Sequence, residues 1–115
     1  MKILPFAGFL LFAGSASATS LSVPQIQVNR IITANYRCPD GKQFSVTYLN
    51  ADNGQSFAIV PYRGKPMFLV STMSADGVKY QADSVTWWNK GRGGMLFDAR
   101  IDEEKPILDG CASKG

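Results

Sequence analysis

Residues 86–97 read TWWNKGRGGMLF, and the two adjacent tryptophans decide how the stretch folds. In an extended strand, neighbouring side chains point to opposite faces. Val85, Trp87 and Asn89 then share one face, while Thr86, Trp88 and Lys90 share the other. This spacing predicts that Trp87 enters a core with Val85 and that Trp88 stands outside, beside Lys90. Gly91-Arg92-Gly93-Gly94 reads as a turn, and residues 95–100, MLFDAR, resume as a second strand.

The same texture continues outward. Residues 32–38 alternate and stop at Pro39-Asp40-Gly41, a turn signal. Phe44, Val46 and Tyr48 alternate with Gln43, Ser45 and Thr47, the pattern of a half-buried strand. Short strand-like runs follow at residues 57–60, 67–70 and 78–80, and residues 106–108 lead to Cys111. Turns are expected at residues 50–54, at Pro61-Tyr62-Arg63-Gly64 and at Asp76-Gly77. No segment carries a sustained helical period. Seven or eight short strands at near-regular spacing predict an all-β chain, an antiparallel barrel or a sandwich.

Residues 1–18, MKILPFAGFLLFAGSASA, carry the marks of a secretory signal peptide: Lys2, an apolar run and the small-residue exit Ala16-Ser17-Ala18. Cleavage is expected near Ala18-Thr19. No cysteine stands at that point, so no lipid membrane anchor is expected. Residues 19–30 are polar, contain a proline, and read as a flexible leader, which sets the folded domain at residues 31–115. In an exported chain the two cysteines, Cys38 and Cys111, are expected to pair. Closing a loop of about 70 residues contributes roughly 4 kcal/mol in the chain-entropy picture. The competing readings are two free thiols or a metal site, but two cysteines without a histidine cannot fill a tetrahedral zinc shell.

The formal net charge is +3, and the leader holds one base and no acid, so the mature chain carries one positive charge fewer. So weak a balance argues against nucleic acid, which needs a dense basic stripe. The absence of histidine removes Ser-His-Asp and Cys-His catalysis. No glycine-rich phosphate loop joins a strand to a helix, and the acids lie mostly in turns rather than as a pair across a cleft. The chain reads as a non-enzyme without a cofactor or metal.

What remains is a constellation: Ser74-Ala75-Asp76-Gly77-Val78-Lys79-Tyr80, then Trp88, then Lys90-Gly91. With the opening Tyr36-Arg37-Cys38-Pro39-Asp40-Gly41-Lys42 and the late Cys111, it resembles the bacterial C-type lysozyme inhibitor family, periplasmic and membrane-bound, over most of the mature chain. The resemblance implies a small antiparallel β-barrel of about eight strands closed by the Cys38–Cys111 disulfide. It implies a periplasmic protein whose partner is C-type lysozyme. It also implies a mechanism in which a loop serine and a loop lysine meet the enzyme's two catalytic carboxylates.

Carried over, the lysine is Lys90, and the serine position holds Asp76. A carboxylate there repels the enzyme's acids unless a proton or Lys90 intervenes. Two arrangements resolve this: Ser74 offers its hydroxyl instead, or Asp76 pairs with Lys90 and orients it. Where the family shows acids after the lysine, this chain has Arg92-Gly93-Gly94, which weakens attraction to a basic enzyme. Gly77 and Gly91 are assigned turn geometry. Tyr80 is assigned packing and one hydrogen bond, and Trp88 either supports the loop or plugs the barrel end. Two rival functions share the fold: an envelope binding module for a different muramidase or cell-wall fragment, and a small-ligand carrier.

Overall fold

The computed structural model describes residues 18–114. Eight strands follow one another in chain order: β1 (Val28–Arg37), β2 (Gln43–Ala51), β3 (Ser56–Tyr62), β4 (Lys65–Thr72), β5 (Val78–Ala82), β6 (Val85–Lys90), β7 (Gly93–Asp98) and β8 (Leu108–Ser113). Each runs antiparallel to the next, and β8 returns to β1, so the sheet closes into a barrel. The signal-peptide reading of residues 1–18 falls, apart from Ala18, outside the described residues.

Closure is weakest where the chain ends meet. The β1–β8 ladder consists of Tyr36 opposite Ser113 and Arg37 opposite Ala112. Cys38 and Cys111 are bonded one position beyond that ladder, and both are buried. The disulfide therefore supplies covalently what two paired positions hold only weakly.

Three departures from the sequence reading bear on the fold. β1 starts at Val28, so Val28, Asn29 and Arg30 belong to a strand rather than to a loose leader. Val28 and Arg30 pair with β2, and the Asn29 amide, at the irregularity between them, donates to the Asp52 carboxylate at 2.6 Å. This part of β1 is exposed on both faces, so it carries no apolar alternation to read. Between β3 and β4 the turn is only Arg63-Gly64, both at positive φ (53° and 76°), the pattern of a tight I′ hairpin. Pro61 sits inside β3, opposite Pro66. The β2–β3 ladder stops at Ile59, so the amide hydrogen Pro61 lacks is not missed there.

The third departure lies in the opening stretch. β7 begins at Gly93 and ends at Asp98, so Gly93 and Gly94 are strand, while Ala99 and Arg100 are turn. Asp98 ends the strand: its carboxylate accepts the Arg100 amide at 3.0 Å, and its carbonyl accepts the amides of Ile101 and Asp102. Gly94 is explained by Trp87, which is 0 % exposed. A Cβ at position 94 would lie 2.3 Å from the indole ring. Trp87 also packs edge-on against Tyr36 and Phe44, at centroid distances of 5.0 and 5.6 Å. Its Nε1 donates to the Tyr48 hydroxyl at 2.8 Å, and that hydroxyl lies 2.6 Å from the Tyr36 hydroxyl. A buried indole N–H needs such a partner, since water cannot reach it. Burial raises the pKa of both tyrosines, keeping them neutral.

Candidate functional site

In an up-and-down barrel, alternate connections leave at the same end. The β4–β5 loop, residues 73–77, and the β6–β7 turn at Gly91-Arg92 are such a pair, and Val78 opposite Asn89 brings them side by side. Gly77 takes φ +64°, and a Cβ there would lie 2.3 Å from the Asn89 carbonyl oxygen and 2.8 Å from Lys90 Cγ. Only glycine lets the loop rest this closely on the strand end from which Lys90 projects. Gly91 also takes a positive φ, 57°, in open space.

On this platform four side chains converge. Lys90 Nζ lies 3.5 Å from an Asp76 carboxylate oxygen and 4.0 Å from the centre of the Trp88 ring. Trp88 Nε1 donates to the Asp76 carbonyl at 2.8 Å, so the tryptophan both carries the lysine and ties down the loop. The Ser74 hydroxyl donates to the same carbonyl at 2.7 Å. Of the two arrangements open for Asp76, the structure has the pairing with Lys90, while Ser74 is engaged within its own loop. Trp88 lies on the outer face beside Lys90, on the side opposite Trp87.

The remaining predicted site residues separate. Arg92 is exposed on the turn, and its carbonyl accepts the Ser113 amide at 2.8 Å. Tyr80 points inward, 5 % exposed, and packs on Tyr48 with ring centres 5.5 Å apart. It supports the barrel and is not part of the surface around Lys90. Its hydroxyl has no hydrogen-bond partner among the described residues, in contrast to the expectation of one, and burial raises its pKa.

Two residues escaped the sequence reading. Asn89, on the inner face, donates through Nδ2 to the Tyr36 hydroxyl at 3.0 Å and to the Gly93 and Gly91 carbonyls at 3.2 and 3.4 Å. It ties the Lys90 turn to the buried Tyr36–Tyr48–Trp87 network. Lys79 lies directly opposite Trp88 in the β5–β6 ladder, and its Nζ is 4.1 Å from the indole centre. An unpaired cation next to an outward aromatic was the signal available for Lys79. Asn89 gave none, because its partner Tyr36 is 53 residues away in sequence.

The energetics favour a side chain that is aimed yet available. The Lys90 and Asp76 side chains are 40 % and 74 % exposed. A pair so exposed contributes at most about 1 kcal/mol, and a cation–π contact of this kind contributes about 0.5–1 kcal/mol. These contacts narrow the rotamers of Lys90 without burying its charge. Among the described residues no cluster of acids or cysteines could hold a metal ion.

Comparison with known proteins places the chain among relatives of one kind. The family profile described as membrane-bound lysozyme inhibitor of C-type lysozyme matches residues 36–105. A membrane-bound lysozyme inhibitor of C-type lysozyme from Cupriavidus necator is 32% identical over 103 residues, spanning 89% of this chain and 82% of the relative. One of the same name from Pseudomonas aeruginosa is 36% identical over 66 residues, 56% of this chain and 51% of the relative. The solved structure of Pseudomonas aeruginosa MliC in complex with hen egg white lysozyme superposes with a TM-score of 0.66 at 26% identity, covering 88% of this chain and all of that one. The periplasmic inhibitor PliC from Salmonella typhimurium, at 24% identity and a TM-score of 0.66, covers 75% of this chain and all of that one, and shares the fold.

Proposed function

The chain belongs to the membrane-bound lysozyme inhibitor of C-type lysozyme family, and from that premise we propose that it inhibits a C-type lysozyme by presenting Lys90 to the enzyme's two catalytic carboxylates. The observation that carries the reading is Lys90 at the tip of a hairpin, held against Trp88 and paired with one exposed acid.

A hairpin tip is a convex probe, and a glycosidase active site is a cleft. An ammonium entering that cleft exchanges Asp76 for carboxylates in a drier medium, where charge-assisted hydrogen bonds strengthen. It also occupies the place of the sugar whose bond the enzyme cleaves. Lys90 is already held by Trp88, Asp76 and the Asn89-anchored turn, so docking costs less side-chain entropy than ordering a free lysine. The protein supplies no chemistry of its own in this reading and acts as a binding partner. Asp76 serves Lys90 rather than replacing the family's serine, and Arg92 makes the tip more positive than an acidic turn.

The reading includes export. Residues 1–18 direct the chain out of the cytoplasm and are removed near Ala18-Thr19, which places the protein in the envelope where lysozyme arrives. The test of the function is a lysis assay: purified mature protein at micromolar concentration is expected to suppress hen egg white lysozyme acting on bacterial cell walls. Undiminished lysis at that concentration would reject the proposal.

A further inference from the structure

Lys79 stands on the outer face of β5, opposite Trp88, while Lys90 stands two residues beyond Trp88 on β6. Their ammonium groups lie 4.1 and 4.0 Å from the centre of one indole ring. Since both are anchored to the same ring, no more than about 8 Å separates them, each in cation–π range. Their electrostatic states differ. Asp76 counters Lys90, whereas the ion pairs among the described residues leave Lys79 without an acidic partner. The acid that shares its groove, Glu103, makes no ion pair with it.

Resting on the proposed function, we infer that Lys79 is a second lysozyme-binding cation, and that Lys79 and Lys90 flank Trp88 as a two-pronged clamp, one ammonium for each catalytic carboxylate. The dimensions agree. Lysozyme is a retaining glycosidase, and in that class the two carboxyl groups stand about 5–5.5 Å apart. Two cations up to about 8 Å apart can reach such a pair from either side with one charge-assisted contact each. The rigid indole sets the spacing, which two free lysines could not hold against their mutual repulsion. The clamp also accounts for a carboxylate being tolerated at position 76. One internal acid among two cations leaves the site positive, so it still attracts the enzyme's acids.

The experiment measures dissociation constants of mature wild type, Lys79→Gln and Lys90→Gln for hen egg white lysozyme and for two lysozyme variants, each with one catalytic carboxyl changed to its amide. Lys79→Gln is expected to weaken binding to unmodified lysozyme by about tenfold at low salt. Its melting temperature should fall by no more than roughly 5 °C, the share of its one cation–π contact, since the residue makes no ion pair among the described residues. Against one of the amide variants the same substitution should cost threefold or less, which identifies the carboxylate Lys79 meets. A loss within twofold for Lys79→Gln, with a large loss for Lys90→Gln, overturns the clamp and leaves the proposed function standing. Equal losses on all three lysozymes overturn it too, because a cation acting only through Trp88 would not sense the missing charge. Wild-type affinity for both lysine variants would remove the role of Lys90 in the proposed function and the clamp with it, while undiminished lysis by lysozyme remains the result that rejects inhibition itself.

Discussion

Replacing Gly77 by alanine tests whether the two loops form one unit. Two penalties are expected. The first is conformational: an L-residue at φ +64° costs about 1–2 kcal/mol. The second comes from the new methyl group, which would sit 2.3 Å from the Asn89 carbonyl oxygen, roughly 1 Å inside van der Waals contact. Asn89 is held in the β5–β6 and β6–β7 ladders, so the β4–β5 loop must give way. Moving it about 1 Å takes the Asp76 carbonyl off Trp88 Nε1, a loss of about 1 kcal/mol, and the Asp76 carboxylate off Lys90, a loss of up to about 1 kcal/mol. The total is about 2–4 kcal/mol, or a fall in melting temperature of roughly 10–20 °C for a domain this size. Gly64→Ala is the control, with a similar φ of 76° and nothing within 4 Å of the added carbon. It should lose only the conformational part, about 1–2 kcal/mol. Differential scanning calorimetry of both variants, with lysozyme inhibition alongside, reads the difference. Equal melting temperatures and equal inhibition in the two variants would refute the packing of loop on turn.

Three further outcomes are expected. Cys38→Ser/Cys111→Ser should lose roughly 4 kcal/mol in urea titration, because the bond closes the two-pair seam between β1 and β8. Asp98 has its pKa lowered by the Tyr62 hydroxyl at 2.5 Å, then by Ser84 and the Arg100 amide, so it contributes stability above the ordinary carboxylate pKa that is lost as pH falls through its lower folded value. Asp98→Asn should therefore flatten the acid limb of a pH–stability profile, and an unchanged limb would count against the assignment. Asp76→Ser should weaken inhibition by no more than about fivefold, since an exposed pair is worth at most about 1 kcal/mol; a large gain would mean that Asp76 faces the enzyme's acids directly.

The barrel was legible wherever one face of a strand is buried. Phe44, Val46 and Tyr48, or Trp87 against Trp88, declare their faces by alternation alone. Val28, Asn29 and Arg30 were not legible, because hydrogen bonds to β2 hold them and no core does. Gly93 and Gly94 looked like turn because composition shows glycine but not the reason for it; at position 94 the reason is the indole ring lying over it. The pairing of Lys90 with Asp76 was legible as one of two arrangements. The packing role of Tyr80 was also legible, but the hydrogen bond expected of its hydroxyl is absent among the described residues, because the hydroxyl is buried against aromatic neighbours. Asn89 could not be found from spacing, because its role depends on a hydroxyl that folding brings from the far end of the domain.

The most direct test of the account is the affinity of Lys90→Ala for hen egg white lysozyme, measured by titration calorimetry beside wild type. Removing a charged partner that is hydrogen-bonded at an interface typically costs about 2–5 kcal/mol, so binding should weaken by about 30-fold or more, while the melting temperature falls by no more than roughly 10 °C, the share of one exposed ion pair and one cation–π contact. A Lys90→Ala protein that binds and inhibits as wild type does would contradict the account and place the barrel's working surface away from the β6–β7 turn.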